Sequence, residues 1–547
     1  MLEGNKDTPS ETVGTTTNNH DTDSMASVIT NKEFAFPSRV REIMESQGAG
    51  HMIEITEARK SNDLHTHQIQ GYVVYFIKFG PIAVKRRYSE FETLRTCLIK
   101  EFPTMIIPPI PEKQSLRSNI AITTSNSLGL AASSLSGNGS DHHTIEGESN
   151  DGLVKKHNET DPMTNLIEYR KRMLAAFLNR CLKNERISKC KFFLHFLDPE
   201  INFLDYVNNK DNAFLYKTSI YQLSPLKPLE NLENQLYITM PVPSLSDSHL
   251  FKELSEEEQF QKFMSFETKF LKYELVLNNI SKINKRLIRH FNELSIELSE
   301  LGSNFNQLSL IQNSNYIEHI GKLFEQHTIL LSNLTNFVNV GFLDKLIELK
   351  HFSVTAKELM EFNRKKIIQY KMIEKDLYHT RSRYKRYEAE EIRIRKIDMK
   401  TENALTKNTL KGDSPDTEEY FEPPITDEEL QTALFSKTSK KTVYGKIPGV
   451  GKLNSMILKY VNDPNPDETR RTKFYNLKLR LFQLERQYQL SQSDLVQINE
   501  RVMTELESFH RWFKNELVAV CVVYNTFLRD YFAKSKEPWC EIQNEGK

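Results

Sequence analysis

The sequence predicts an α+β domain with a three-stranded antiparallel sheet, followed by an elongated all-α domain. Three runs rich in β-branched and aromatic residues indicate the strands: HMIEITEA, GYVVYFIKF and IAVKRRY. From about position 250, apolar residues recur every three or four positions, which indicates long amphipathic helices. The clearest of them runs from Phe474 to Tyr531, and a helix of about 60 residues spans roughly 90 Å. Such a rod belongs to an elongated bundle or coiled coil.

The first 200 positions divide at two polar segments. Positions 1–31 are mostly Thr, Asn, Ser and Asp and are predicted to be disordered. After the third strand, Ser89 and Glu92 match an S-x-x-E capping box, so a helix is predicted to start at Ser89. The helix is followed by the extended segment IPPIP and then by a polar, disordered insertion over 114–160. The α+β domain is therefore predicted to cover 32–200.

The remaining chain is predicted to be helical and interrupted once. Positions 201–249 indicate a linker that packs on its neighbours, because SPLKPL and MPVPS alternate proline with apolar residues. The helical domain is expected over 250–536, with an interruption over 401–466 and a tail over 537–547.

Composition and charge exclude several classes of protein. Lys+Arg and Asp+Glu both number 73, so no global field attracts nucleic acid or an anionic bilayer, and phosphate binding requires a local cluster. The five cysteines lack zinc or disulfide spacing, which favours a reducing compartment and predicts no metal and no cofactor. The N-terminus lacks the features of a signal peptide, and no apolar stretch is long enough to span a bilayer. Any membrane contact is thus expected to be peripheral.

The segment KRRYSEF, residues 85–91, is the sharpest local signal. Arg87 ends a strand, Tyr88 follows, and the predicted helix start supplies backbone N–H groups at its positive end. A guanidinium binds phosphate bidentately, and a tyrosine face beside it can cover an inositol ring. The same residues could instead form an ordinary basic strand end at the surface.

The strands, RRYSEF, IPPIP and a later helix with Arg170 together resemble the Phox-homology (PX) domain, a family that binds phosphatidylinositol 3-phosphate. By this resemblance, Arg87 holds the 3-phosphate and Tyr88 lies under the ring. Lys113 reaches the 1-phosphate, and Arg170 bonds the 4- and 5-hydroxyls. The sequence departs from the family at Glu112, where a glycine usually precedes the lysine, and at the insertion that separates Lys113 from Arg170.

The three long helices after this domain resemble the BAR domain of PX–BAR sorting nexins. The resemblance implies a dimer, formed with a second copy or with another sorting nexin, that senses or shapes membrane curvature. Basic residues near the end of the second helix are candidates for a second membrane contact. They begin with Arg364, Lys365 and Lys366 and continue with Arg381, Arg383, Lys385, Arg386, Arg393, Arg395 and Lys396.

An amphipathic segment over 437–461 is a further candidate for membrane contact, with Lys446 and Lys452 beside apolar residues. It could instead be a short helix docked on the bundle. The split PX region and the interrupted BAR region together resemble the fungal branch of sorting nexins that acts in endosome-to-Golgi retrieval and selective autophagy. This resemblance implies a cytoplasmic protein peripheral on endosomal and pre-autophagosomal membranes.

Three other functions are alternatives to a lipid-binding adaptor. An enzyme is disfavoured because GKIPGVGKL has Lys446 and Leu453 where a phosphate-binding loop needs Gly and Ser or Thr. A nucleic-acid binder would explain RRY and RYKRY, but the net charge is balanced. A coiled-coil scaffold without specific lipid recognition is the main alternative, and it accounts for the C-terminal half alone.

Overall fold

The computed structural model describes residues 39–46, 52–61, 72–113, 162–232, 234–244, 258–406, 428, 432–433 and 466–545. The predicted disordered N-terminus and the insertion over 114–160 lie outside these residues. So does the amphipathic segment over 437–461, with Lys446 and Lys452.

The predicted three-stranded antiparallel sheet is confirmed. Its strands are β1 (Glu54–Ser61), β2 (Tyr72–Phe79) and β3 (Ile82–Arg87), in the order β1-β2-β3. Phe79 lies opposite Ile82, so a two-residue turn joins β2 to β3, and its first residue, Gly80, has φ of 56°. Glycine suits this position because a positive φ is costly for residues with a side chain.

Helices cover one face of this sheet. They are α1 (Arg39–Ser46), α2 (Tyr88–Glu101), α3 (Pro162–Lys183), α4 (Glu185–Ser188) and α5 (Lys191–Leu197). Tyr75, Phe91 and Phe196 are fully buried between sheet and helices. Phe91 makes edge-to-face contacts with both other rings, at centroid distances of 6.1 Å to Tyr75 and 4.9 Å to Phe196. This geometry adds a favourable quadrupole interaction to the burial of apolar surface.

The segment after α5 belongs to both halves of the molecule. It contains α6 (Phe203–Asn208), α7 (Lys210–Lys217) and α8 (Gln235–Ile238). The side chains of Phe203 and Leu215 join the core of the α+β domain, whereas Tyr237 and Met240 pack in the helical domain. The segment predicted as a packed linker therefore adds apolar burial to two separate cores.

The helical domain is an elongated bundle. Its helices are α9 (Glu258–Gln312), α10 (Asn315–Asn336), α11 (Asp344–Thr406) and α12 (Pro466–Glu545), and the π-helical stretch Phe337–Leu343 joins α10 to α11. The 80 residues of α12 span about 120 Å. This helix includes Pro538 and the described part of the segment predicted as a tail, so the bundle extends past residue 536.

The two domains are joined by ion pairs and by apolar contact. Arg180 of α3 bonds Glu348 of α11 at 2.9 Å and also the Glu516 carboxylate of α12. Arg172 bonds Asp344 at 2.6 Å, and the backbone N–H of Ile106 donates to a Glu505 carboxylate oxygen at 3.0 Å. Ile106 itself packs into the core of the bundle.

Within the part of the chain that the structure describes, no helix is both long enough and apolar enough to cross a bilayer.

Candidate functional site

The candidate site forms where β3 passes into α2. Arg87 is the last residue of the strand and precedes the helix, which begins at Tyr88. A Glu90 carboxylate oxygen accepts a hydrogen bond from the Arg87 backbone N–H at 2.7 Å. The helix therefore starts one residue earlier than predicted, and Glu90, rather than the predicted pair of Ser89 and Glu92, closes the capping interaction.

The two neighbouring arginines of the RRY segment point to opposite faces of the sheet, as strand alternation requires. Arg86 is 6% exposed, and its guanidinium donates to backbone carbonyl groups at the end of α5, including those of Phe196 at 2.9 Å and Asp198 at 2.8 Å. Burial lowers the pKa of Arg86, and the nearby carboxylate of Glu90 opposes this shift. Arg86 therefore holds the domain together, and Arg87 is the arginine presented outward.

Arg87 is exposed, and its guanidinium carbon lies 3.4 Å from the centroid of the Tyr72 ring. Tyr72 is the first residue of β2, and the antiparallel pairing places Val74 opposite Arg87. Tyr72 and Val74 lie on the same face of the strand as Arg87, because side chains alternate along a strand. The ring and the guanidinium are thus diagonal neighbours across the sheet.

Tyr88 occupies the centre of the site. Its hydroxyl donates a hydrogen bond to the backbone carbonyl of Pro111, which ties the helix start to the extended proline segment. Burial raises the pKa of the Tyr88 phenol to about 12, and the negative charge of Glu92 acts in the same direction. The phenol therefore stays neutral at physiological pH and keeps this hydrogen bond.

Arg170 reaches the same place from α3. Its guanidinium carbon lies 5.2 Å from the centroid of the Tyr88 ring, and its Nη2 donates to the backbone carbonyl of Glu112 at 3.5 Å. The buried Tyr75 lies close beneath, where burial raises the pKa of its phenol and the charge of Arg170 opposes that rise. The insertion consequently does not keep the two chain segments apart, since Pro111 and Glu112 before it and Arg170 after it meet at Tyr88.

Lys113 is at the rim of the site. Its ammonium group is exposed and lies 3.2 Å from a Glu92 carboxylate oxygen of α2. Glu112 stands where the family usually has a glycine, but the carboxylate that pairs with Lys113 is that of Glu92. A phosphate would have to compete with this exposed ion pair.

The basic residues predicted for a second membrane contact divide into two groups. The prediction is wrong for Lys366, which is 6% exposed. Arg364 and Lys365 are partly buried: Arg364 is bonded to Glu267 at 2.7 Å, and Lys365 lies 3.5 Å from Glu361. They are occupied because α9 and the segment around Tyr221 pack on this part of α11.

In the second group, Arg381 bonds a Glu485 carboxylate oxygen at 2.7 Å. Farther along α11 are the exposed basic side chains of Arg383, Lys385, Arg386, Arg393, Arg395 and Lys396.

Sequence reasoning missed Tyr72. An aromatic residue at the start of a strand is common, and its proximity to Arg87 depends on the pairing register of β2 and β3. The only available signal was strand alternation, which becomes informative once that register is known.

The family model and two fungal relatives agree with this architecture. The family model described as PX domain matches residues 75–200. Sorting nexin-41 of Yarrowia lipolytica is 28% identical over 502 residues, covering 90% of this chain and 78% of the relative. Autophagy-related protein 20 of Kluyveromyces lactis is 28% identical over 507 residues, covering 90% of this chain and 73% of the relative. The solved SNX-BAR Mvp1 tetramer has 13% identity and a TM-score of 0.40, covering 90% of this chain and 99% of that one.

A PX domain followed by an elongated helical bundle, with relatives of this kind along nine-tenths of the chain, defines a PX–BAR sorting nexin. The fungal relatives that the chain matches are of the branch that includes sorting nexin-41 and autophagy-related protein 20. This assignment confirms the prediction of an adaptor rather than an enzyme.

Proposed function

We propose that this sorting nexin binds phosphatidylinositol 3-phosphate through Arg87, Tyr88, Arg170 and Lys113. In this proposal it is a peripheral adaptor on the cytoplasmic face of endosomal and pre-autophagosomal membranes, where it serves endosome-to-Golgi retrieval and selective autophagy. The names of its relatives support the trafficking and autophagy roles. The observation that carries the lipid proposal is the convergence of Arg170 on the Tyr88 ring, directly beside Arg87.

The three basic side chains suit a singly phosphorylated inositol. Arg87 is placed to bond the 3-phosphate, Arg170 the neighbouring hydroxyls and Lys113 the phosphodiester. Charge-assisted hydrogen bonds contribute about 1.5–3 kcal/mol each, so a few of them, less ordering costs, give roughly micromolar binding. Stable recruitment to a scarce lipid then needs a second site, which can raise avidity by about 10²–10⁴.

We infer that a second subunit supplies this site through one end of the bundle. There α9, α10 and α12 pack around Leu331, Leu334 and Val338. The same region carries many large apolar side chains that are at least 40% exposed: Leu294, Ile296, Leu301, Leu308, Leu310, Ile311, Tyr316, Ile329, Val518, Val522, Val523, Phe532 and Trp539. Exposed apolar surface of this extent is typical of a protein interface, and its partner here is a second copy or another sorting nexin.

The basic part of α11 is proposed as a second membrane contact. Arg383, Lys385 and Arg386 are exposed there, and each basic residue near an anionic bilayer contributes about 1 kcal/mol. Dimerisation together with this contact would let the bundle sense or shape membrane curvature.

Flotation with liposomes tests the lipid proposal. Arg87→Ala should remove most of the binding that depends on phosphatidylinositol 3-phosphate, because it deletes the bidentate phosphate ligand. Lys85→Ala is the matched control, since Lys85 is an exposed cation two residues earlier on the same strand and its ammonium group lies 5.2 Å from the Phe76 ring centroid. This control should retain nearly all of the specific binding.

Binding that is equal with and without the 3-phosphorylated lipid would instead favour the coiled-coil scaffold without specific lipid recognition. Equal losses in the two variants would show that general surface charge, and not a phosphate site, attracts the protein.

A further inference from the structure

Tyr72 makes a contact with the proposed phosphate ligand that the family resemblance does not include. Its ring centroid lies 3.4 Å from the guanidinium carbon of Arg87. At this separation the planar guanidinium and the ring are in van der Waals contact, which places the contact at the strong end of cation–π geometry. Tyr72 also lies three residues before the range that the PX family model matches.

The type of contact matters for phosphate binding. Stacking engages the π face of the guanidinium, whereas its N–H groups donate in the plane of the group. Arg86 shows the contrasting arrangement, in which these N–H groups donate to the backbone carbonyls of Phe196 and Asp198. A ring held against the π face of Arg87 restricts the rotamers of Arg87. This contact does not engage the in-plane N–H groups that bond phosphate.

A second, longer cation–π contact lies in the same site. The Arg170 guanidinium carbon lies 5.2 Å from the Tyr88 ring centroid, so each arginine of the proposed head-group site lies over a tyrosine. Tyr72 is on β2 and Tyr88 is on α2, and hydrogen bonding within the sheet holds β2 against β3. The positions of both guanidinium groups are thereby linked to rigid elements rather than to loops.

We propose that Tyr72 is a positioning residue for Arg87 and determines how well the site recognises the 3-phosphate. This inference rests on the proposed function, because it concerns the same lipid site. Arg87 loses less side-chain entropy on binding when its guanidinium is already ordered, so affinity rises without an additional contact to the lipid.

The same sheet face offers a matched comparison. The Phe76 ring lies farther along β2, with the Lys85 ammonium 5.2 Å and the Arg59 guanidinium 5.4 Å from its centroid. Phe76 and Tyr72 are thus both partly buried aromatic residues beside cations on one face of one strand. They differ in that Tyr72 contacts Arg87.

The experiment measures binding of the full chain to liposomes that contain phosphatidylinositol 3-phosphate. Tyr72→Leu should weaken binding about two- to fivefold, the range expected for loss of an exposed cation–π contact. Tyr72→Phe keeps the ring and should restore the affinity of the unaltered chain, whereas Phe76→Leu should not weaken binding. Tyr72→Gln gives a second non-aromatic variant if Tyr72→Leu does not fold, as judged by circular dichroism.

The outcomes separate this inference from the proposed function. Normal binding by both Tyr72→Leu and Tyr72→Gln, with binding lost in Arg87→Ala, overturns the role of Tyr72 and leaves the lipid site intact. An equal loss in Phe76→Leu, or an equal loss on phosphatidylserine vesicles without the 3-phosphate, also overturns it, because the effect would then come from the general surface. Normal binding by Arg87→Ala overturns the proposed function itself.

Discussion

Arg86 and Arg87 show how strand alternation gives adjacent, chemically identical side chains different roles. The buried Arg86 satisfies backbone carbonyl groups, and the exposed Arg87 stacks on Tyr72. The sequence was sufficient to place Arg87 where the strand passes into the helix, because the strand end and the following helix are local features. It could not predict the Glu92 partner of Lys113, which depends on how the proline segment packs against α2.

Arg180 carries the most consequential ion pairs between the two domains. It bonds the Glu348 carboxylate, which is 5% exposed, and its guanidinium carbon also lies 5.0 Å from the Trp512 ring centroid. Burial alone would raise the pKa of Glu348, but the hydrogen bond and charge of Arg180 lower it overall. The pair is therefore made with a charged, desolvated carboxylate.

Arg180→Met should lower the free energy of unfolding by about 3 kcal/mol, because it leaves the buried Glu348 carboxylate with Lys345, at 3.2 Å, as its remaining cation. Urea denaturation followed by circular dichroism measures the change. Arg529→Ala is the control, since Arg529 and Asp530 form an ion pair with side chains 75% and 54% exposed. Its removal should cause little change. Similar losses of unfolding free energy in Arg180→Met and Arg529→Ala would contradict the assigned importance of Arg180.

At the scale of elements, the strands and long helices were predictable because each has a regular hydrophobic period. Element ends were less predictable, as the start of α2 at Tyr88 shows.

Lys366 is the clearest failure on a helix. Its position in a basic run indicated a solvated face, yet its ammonium group donates to the Gln369 side chain at 3.0 Å and to the Tyr221 carbonyl at 3.3 Å. The segment containing Tyr221 covers it, and that contact joins positions 145 residues apart.

The buried Lys366 predicts a pH dependence of stability. Burial lowers its pKa to about 8, although the charge of Asp494 opposes the shift. Between pH 8 and about 10.4 the unfolded chain holds a proton on this amine that the folded chain has lost, so its contribution to stability rises with pH. Below pH 8 the amine is charged in both the folded and the unfolded chain. Its contribution to stability is then about 3 kcal/mol lower than above about pH 10.4.

Lys366→Met should abolish this rise. The difference in unfolding free energy between the variant and the unaltered chain, measured by urea denaturation from pH 7 to pH 10, should shift in favour of the unaltered chain as pH increases. Lys385→Met, at an exposed lysine of the same helix, is the control for the loss of one charge. A pH-independent difference for Lys366→Met would contradict the lowered pKa of Lys366.

At the scale of the whole molecule, the two-domain architecture was predictable and the contact between the domains was not. The spacing of apolar residues in each segment identified a sheet-containing domain and a helical rod. The ion pair of Arg180 with Glu348 joins positions 168 residues apart, and that with Glu516 joins positions 336 apart. No local pattern indicates such a pair, because charged residues on helices are usually solvated.

The exposed apolar end of the bundle predicts the oligomeric state. Val522→Asp should shift the protein from dimer to monomer in sedimentation velocity experiments, because an unpaired carboxylate is costly to bury in an apolar interface. Val522 is 58% exposed in the single chain. Val496→Asp is the matched control, as Val496 is 66% exposed on the same helix but lies outside the proposed interface. A monomeric unaltered chain, mixed with no other sorting nexin, would restrict the proposal to heterodimers.

The ion pairs at the junction of the two domains have a consequence for how the molecule would lie on a vesicle or tubule. With Arg172 and Arg180 both bonded to the rod, the head-group pocket cannot swivel independently of the long axis. If the site binds a lipid head group as proposed, this rigid junction sets the angle between the rod and the membrane surface. Neighbouring molecules anchored in this way would share one angle to the surface.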